Sequence, residues 1–435
     1  MADIDKPTPA ADADLTGEEL SGAAARDAEL ALPPALAATS VSDYLRTSLA
    51  RVKGGDSGIL PVVGGLLLIS ILFQALNSHF LTAGNLVNLL VQAAVFSLLA
   101  MAEVFVLILG EIDLSTGFVA GLGGAIMAVL LASHGWPWWG AIAATLLACA
   151  GIGLIQGAII TAIGLPSFVV TLAGLLFWEG VLFKTLGSGG AVAINDTKIN
   201  DIAAANLSPT VGWIVMLVIV GLFAAGTWRR DSKRRRSGLV AAPAGVTLMK
   251  IAGALLGGVA LVLLCNANRG VLIPIQGVPY VVLLVIGVLV VWTFLLGRTK
   301  IGRYMYAIGG NAEAARRAGI SLAGIRILGF TLCSLTAGIA GIVYTSRLES
   351  ISTAVDGGTL VLYAVAAAVI GGTSLFGGRG NVFTGVLGGI VIASIDNGMG
   401  LLGFTAAAKD MVTALVLLAA VTIDAVARRG RTVGA

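Results

Sequence analysis

From about residue 57 the chain alternates apolar runs of near-membrane length with short polar or glycine-rich breaks. The runs fall at roughly 58–76, 89–109, 116–133, 138–162, 168–186, 211–228, 248–265, 279–297, 327–345, 359–376, 382–395 and 409–427. A helix of about 20 apolar residues crosses the hydrocarbon layer, and only a helix satisfies its own backbone at that depth. The pattern predicts an all-α, polytopic integral membrane helical bundle of ten to twelve spans. With all twelve crossing, both termini lie on one side. Residues 1–55 read as a disordered tail, 56–428 as the membrane domain and 429–435 as a short C-terminal tail. The first 45 residues carry nine acidic side chains against Lys6 and Arg26, and they hold no apolar core of the kind that opens a secretory signal.

Composition strengthens this picture. The 435 residues are 57% hydrophobic and only 11% charged, with a mean hydropathy of +0.97, whereas a soluble domain is about 25% charged. The charges are also segregated. Arg46, Arg51 and Lys53, the cluster WRRDSKRRR from Trp228 to Arg236, the stretch 298–326, Arg379 and the tail Arg428, Arg429 and Arg431 fall in one set of loops; the other set holds only Lys198, Arg269, Arg347 and Lys409. Positive loops stay cytoplasmic, so both termini are expected there. Trp136, Trp138 and Trp139 around Pro137 fit an interfacial belt in an outward loop.

Two breaks interrupt apolar sequence with glycine, GEIDLSTG (Gly110–Gly117) and GGTSLFGGRG (Gly371–Gly380). Either is a tight turn or a half-membrane break. Gly110, Leu114 and Gly117 align with Gly371, Leu375 and Gly378, and the strings GLGGAIMA and VLGGIVIA follow; an internal duplication accounts for this, as does chance likeness among glycine-rich apolar strings.

Chemistry-bearing residues are sparse. Cys149, Cys265 and Cys333 lie singly inside apolar runs, and two histidines, His79 and His134, make no multi-histidine metal site. No cluster of nucleophile, acid and base suggests an enzyme, and no Gly-Lys pair exists to close a phosphate-binding loop. Any ATP and magnesium therefore belong to another chain. Glu103, Glu179, Lys184, Asp396 and Asp424 fall within or at the edges of the runs, where a charge costs at least ~2.5 kcal/mol, so each is a pathway or pairing candidate. Glu103 is the hardest to explain structurally, while Asp396 and Asp424 read as hydrated span ends. Glu111, Asp113, Ser115, Thr373 and Ser374 join Glu103 and Glu179 as candidates for a translocation path or gate, because they sit at the two breaks.

The polar island RTKIGRYMYAIGGNAEAARRAGISLAGIR, residues 298–326, goes beyond what topology requires. Arg298, Lys300 and Arg326 suffice as positive anchors. The core Asn311–Gly319 has Glu313 at its start and Arg316 and Arg317 near its end, the order that suits a short helix dipole. Gly309, Gly310 and Gly319 bracket it as expected hinges.

Four blocks in order resemble the bacterial ABC permeases for monosaccharides: GEIDLSTGFVAGLGG, LPSFVVTLAG, GRYMYAIGGNAEAARRAGI and AVAAAVIGGTSLFGGRGNVFTGVLGG. The xylose-type branch is closest, since it shares GEIDLS rather than GGIDLS and an added apolar segment after the WRRDSKRRR loop. The resemblance implies a permease subunit of the bacterial cytoplasmic membrane, paired as a homodimer among lipid. It implies a cytoplasmic ABC ATPase and an extracytoplasmic sugar-binding protein as partners, with no nucleic acid. Asn311, Glu313, Ala314, Ala315, Arg316, Arg317 and Gly319 become the expected ATPase-coupling residues. Glu313, Ala314, Ala315 and Gly319 spell E-A-A-x-x-x-G, but the I-x-L-P ending found in other importers is missing. An ion-coupled secondary transporter using Glu103 and Glu179 stands as the alternative, as does the same architecture importing another sugar or a nucleoside.

Overall fold

The computed structural model describes residues 40, 42–44, 46, 59–270 and 272–432, with side chains up to 419 and at 422; the expected N-terminal tail and the side chain of Asp424 lie outside these. The described residues are 78% helical. Nine helices among the described residues are long and apolar enough to cross a membrane, and two shorter apolar ones accompany them. Each run expected from the sequence corresponds to a helix: α1 (Ile59–Leu76), α2 (Ala83–Ile108), α3 (Thr116–Ala132), α4 (Trp138–Ile163), α5 (Ser167–Leu186), α7 (Pro209–Arg236), α8 (Ala244–Asn266), α9 (Tyr280–Arg298), α12 (Leu322–Leu348), α13 (Gly357–Ile370), α14 (Val382–Leu401) and α15 (Ala406–Thr432). The short helices α6 (Thr197–Ala204), α10 (Lys300–Gly310) and α11 (Ala312–Arg317) lie in the connections, with strands β1 (Ala191–Ala193) and β2 (Ser350–Ser352).

The chain divides into two compact units. In the first, residues 217–258 form the hairpin between α7 and α8. Asp231 closes it from inside, accepting from Thr247 Oγ1 at 2.9 Å and pairing with Arg230 Nε at 3.0 Å. Arg234 and Arg235 donate to the carbonyls of Val240 and Ala242 in the turn, and the Arg235 guanidinium lies 5.6 Å from the Trp228 ring centroid.

The second unit, residues 54–216 and 259–435, holds everything else. Its packing repeats with two halves exchanged: α2 packs on α13 and α14, and α12 packs on α3 and α4. The pairs α2 with α12 and α3 with α13 lie where the halves meet. The island connects to the start of α12, whereas the end of α2 reaches that same end of the bundle, so α2–α5 and α12–α15 are related with inverted direction, as in many transporters. The repeat therefore pairs the 109–115 break, between α2 and α3, with residues 349–356, between α12 and α13. It does not pair Gly110–Gly117 with Gly371–Gly380, which joins α13 to α14. Their likeness is that of two glycine-rich apolar strings.

The helices approach closely through glycine. A Cβ on Gly341 would overlap the Ala120 carbonyl oxygen, and one on Gly124 would overlap Thr345 Oγ1. These contacts set α3 beside the later half of α12, so α3 begins level with the middle of that helix. Thr116 Oγ1 lies 3.6 Å from Cys333 Sγ there. The N-termini of α3 and α13 also meet, with Gly117 against the Gly357 carbonyl. At 1.5 Å per residue α3 and α13 are roughly 26 and 21 Å long, short of the ~30 Å apolar layer. At the end opposite the island, β1 pairs antiparallel with β2 in the register Ala191–Ser352, and Ser346 Oγ donates to the Ile199 carbonyl at 2.6 Å to hold α6. The tryptophans expected at an interface, Trp136, Trp138 and Trp139, are exposed.

Thermal unfolding in detergent checks this packing. Gly341→Ala should lower stability by about 1–3 kcal/mol by forcing α3 from α12, whereas Gly151→Ala, where a Cβ meets open space, should leave it unchanged or slightly raised.

Candidate coupling and gating site

The break after α2 is not a turn in the ordinary sense. Gly110 adopts φ +77°, and the chain then runs without regular structure through Glu111–Asp113 and turns at Leu114–Ser115 before α3 begins. Several elements supply partners to this strip, although the buried Asp113 Oδ2 makes no hydrogen bond. The Glu111 N–H donates to the Val106 carbonyl at 3.0 Å. Ser167 Oγ, at the start of α5, accepts from Ile112 N–H at 3.2 Å, and Thr171 Oγ1 donates to the Ile112 carbonyl at 3.2 Å. Asp113 folds back on its own segment, accepting from Ser115 N–H at 2.9 Å and Ser115 Oγ at 2.6 Å. Gln156 Nε2 on α4 donates to Ser115 Oγ at 3.0 Å. Glu111 itself is ion-paired with Arg326 at 3.0 Å, the residue that leads from the island into α12.

The island is two helices rather than one. Thr299 caps α10 by accepting from Gly302 N–H at 3.3 Å, and Asn311 caps α11 by accepting from Ala314 N–H at 2.9 Å. On α10, Gly302, Met305 and Ile308 are buried while Arg303 and Tyr304 face solvent. On α11 only Ala315 is buried; Asn311, Glu313, Ala314, Arg316, Arg317 and, just beyond it, Gly319 are exposed. Glu313 holds Arg316 through bonds of 3.0 and 2.9 Å and Arg317 through one of 3.1 Å. These arginines hold the Glu313 carboxyl below its usual range. Exposed pairs of this kind add little stability; they preset the charge pattern that α11 presents.

Gly319, at φ +80°, ends α11 as the bracketing expectation requires. Gly309 and Gly310 differ: they are the last residues of α10, and Gly309 serves close approach rather than hinging. A Cβ there would overlap the Ile108 carbonyl oxygen and stand 2.5 Å from Gly378 N. Gly378 N–H donates to that same carbonyl at 2.8 Å. Gly377, at φ +85°, faces the Gly309 carbonyl and Gly110 N, where a Cβ would stand 2.8 and 3.0 Å away. Tyr306 Oη on α10 donates to the Gly380 carbonyl at 2.8 Å. The 371–381 segment is thus a tight hairpin turn, closed by Ser374 N–H to Arg379 O at 2.9 Å, and its glycines lock against both the break and the island.

The other candidates occupy different settings. Thr373 and Ser374 are buried inside that turn. Glu103 is fully buried on α2 beside Asp113, Thr116 and Cys333, so it faces the polar strip. Glu179 is half-buried on α5 and, among the described residues, makes no ion pair with Lys184. Asp396, expected at a hydrated edge, is instead paired with Lys409 at 2.9 Å and bonded by Gln92. The sequence marks Gln156 and Thr171 as polar residues in apolar runs, suited to bonding between helices, but not the break as their partner, and Ser167, just before its run, was missed. Among the described residues, no group of acidic, histidine or cysteine side chains is arranged to hold a metal.

An inverted pair of helical halves, two shorter apolar helices whose N-termini meet within the bundle and a polar helix pair at one end mark a multi-pass helical membrane protein. Residues 85–421 match the family described as Branched-chain amino acid transport system / permease component, and the chain belongs to it. It is 34% identical over 385 residues to the xylose transport system permease protein XylH of Escherichia coli (strain K12), covering 87% of this chain and 96% of that one. The ribose import permease protein RbsC of the same strain is 29% identical, over 82% of this chain and 91% of its own. The D-allose transport system permease protein AlsC is 26% identical, over 82% and 89%. No solved structure matches.

Two measurements follow from the site. Ser167→Ala strips the Ile112 N–H of its partner and should cost about 1–3 kcal/mol, read as a lower unfolding midpoint in detergent. For Glu313, a lowered folded pKa means that its pairing contributes above the ordinary carboxylate range and is lost as pH falls through the lowered value. Amide-exchange protection of α11, corrected for intrinsic rates, should therefore hold from pH 8 to 6 and drop only in acid.

Proposed function

We propose that this chain is the membrane-spanning permease subunit of an ATP-driven, binding-protein-dependent importer of a monosaccharide, with xylose the first candidate. The observation that carries the reading is the junction of Ile108, Gly309 and Gly377–Gly378. It joins the solvent-facing helix α11, through α10, to the break inside the bundle, which is what a subunit driven from outside the membrane requires. The names of the similar xylose, ribose and allose permeases support a monosaccharide as cargo.

In this reading all twelve helices cross the cytoplasmic membrane with both termini cytoplasmic, consistent with the positive residues of the island. A cytoplasmic ABC ATPase carries the ATP and magnesium and docks on Asn311, Glu313, Ala314, Ala315, Arg316, Arg317 and Gly319. Of these, Ala315 acts from beneath by seating α11. An extracytoplasmic sugar-binding protein delivers the cargo, and two copies of the permease form the path. Closure of the ATPase displaces α11 and α10; the glycine junction passes the displacement to the 109–115 strip; and the shorter helices α3 and α13 shift between two packings, a population change set by differential contacts. Glu111, Asp113, Ser115, Thr373 and Ser374 act as gate residues by holding this strip and the adjoining turn. Glu103 positions the strip from α2.

The test is uptake into proteoliposomes containing the permease, its ATPase and its binding protein. Uptake should require ATP and survive collapse of ion gradients; dependence on a gradient without ATP would establish secondary transport through Glu103 and Glu179 instead. Gly309→Ala should reduce uptake and nucleotide-coupled stimulation about tenfold, while Gly310→Ala, where a Cβ meets open space, should leave both near the parent. Glu313→Lys should insert normally yet lose most ATPase stimulation; normal stimulation would reduce α11 to a topological anchor.

A further inference from the structure

At the end of the bundle opposite the island, the first turns of α2 carry Asn85, Asn88 and Gln92, spaced to share one helical face. Polar side chains inside an apolar span are costly unless they face each other or a wet cavity. These do both. Asn85 Nδ2 donates to Asn397 Oδ1 at 2.8 Å, Gln92 Nε2 donates to Asp396, and Lys409 Nζ at the start of α15 donates to Asp396 Oδ1 at 2.9 Å. Together they line a cavity of about 250 Å³ that Gly400 and Leu401 complete. Gln92 and Asn397 are buried in its wall, while Asn88 is exposed at its mouth.

We propose that this cavity is a subsite for one monosaccharide, entered from the side opposite the island. The inference rests on the importer reading and adds the place where cargo is first held. Amides, a carboxylate and an ammonium offer both donors and acceptors, as a ring bearing several hydroxyls demands. A volume of about 250 Å³ leaves room for one five- or six-carbon ring among these polar groups. The lining has one acid balanced by one base, so it favours a neutral polyol over an ion. A purely structural polar contact would need no cavity and no exposed amide at its mouth.

The native cysteines Cys149, Cys265 and Cys333 are buried, so a cysteine placed at Asn88 can be read alone. In the full transporter, Asn88→Cys labelled with a membrane-impermeant maleimide should be protected about fivefold by D-xylose, D-ribose or D-allose, and not by a disaccharide. Ser133→Cys, at the far end of α3, should be labelled without protection. Asn88→Leu should lower sugar uptake about tenfold with an unchanged unfolding midpoint. Intact uptake by the parent with no protection by any of these sugars would overturn the subsite and leave the importer reading standing. Protection without ATP-dependent uptake would keep the subsite and sink the importer reading, and equal protection by a disaccharide would overturn the size argument.

Discussion

Within a bilayer, a stretch of backbone that is not helical must find every hydrogen-bond partner on neighbouring protein, and residues 109–115 are such a stretch. The Ile112 backbone is met by Ser167 and Thr171 of α5, Ser115 by Gln156 of α4 and by Asp113, and the preceding Ile108 carbonyl by Gly378, while Asp113 Oδ2 alone of that carboxylate makes no hydrogen bond. The four sequence blocks separated by long apolar runs are those that converge here. Removing any partner leaves a buried polar group unpaired, so the strip constrains four elements at once. The start of α3 opposite the middle of α12 and its encounter with α13 both follow from where the strip ends.

Glycine makes the strip mechanically useful. At the junction of Ile108, Gly309 and Gly377–Gly378, backbone touches backbone with no side chain between them, so a displacement of α10 is not absorbed by rotamer changes. Close-packed elements of this kind switch between discrete arrangements rather than yielding continuously. The ion pair between Glu111 and Arg326 adds a second tie, from the strip to the first turn of α12. Helix α11 stands outside these contacts, fixed by Ala315 and by its own Glu313–arginine pairs, and leaves its polar surface free for a partner.

The apolar runs were sufficient to locate every long helix, because length and composition alone decide which segments a bilayer accepts. The two breaks and the island were legible as departures from that pattern. Their meeting was not, since Ile108, Gly309 and Gly378 are far apart in sequence and a glycine signals either a hinge or a close approach. For Gly319 the hinge reading holds; for Gly309 the approach decides. The likeness of the two glycine strings does not mark the repeat for a related reason: apolar strings rich in glycine resemble each other wherever helices pack tightly, whereas the two related half-bundles show in the order and direction of α2–α5 and α12–α15. Asn85 and Asn88 join Gln92 on one helical face because α2 begins at Ala83, ahead of the run expected from residue 89, and Asp396 and Lys409 complete that face only in three dimensions.

Hydrogen exchange across residues 106–115, measured in the permease–ATPase complex with and without ATP, tests the central claim most directly, because exchange reports local opening of these backbone bonds. Nucleotide should change protection at 110–115 in the parent, and the change should vanish when Gly309 carries a side chain while persisting when Gly310 does. Protection across this strip that is indifferent to nucleotide would contradict the account.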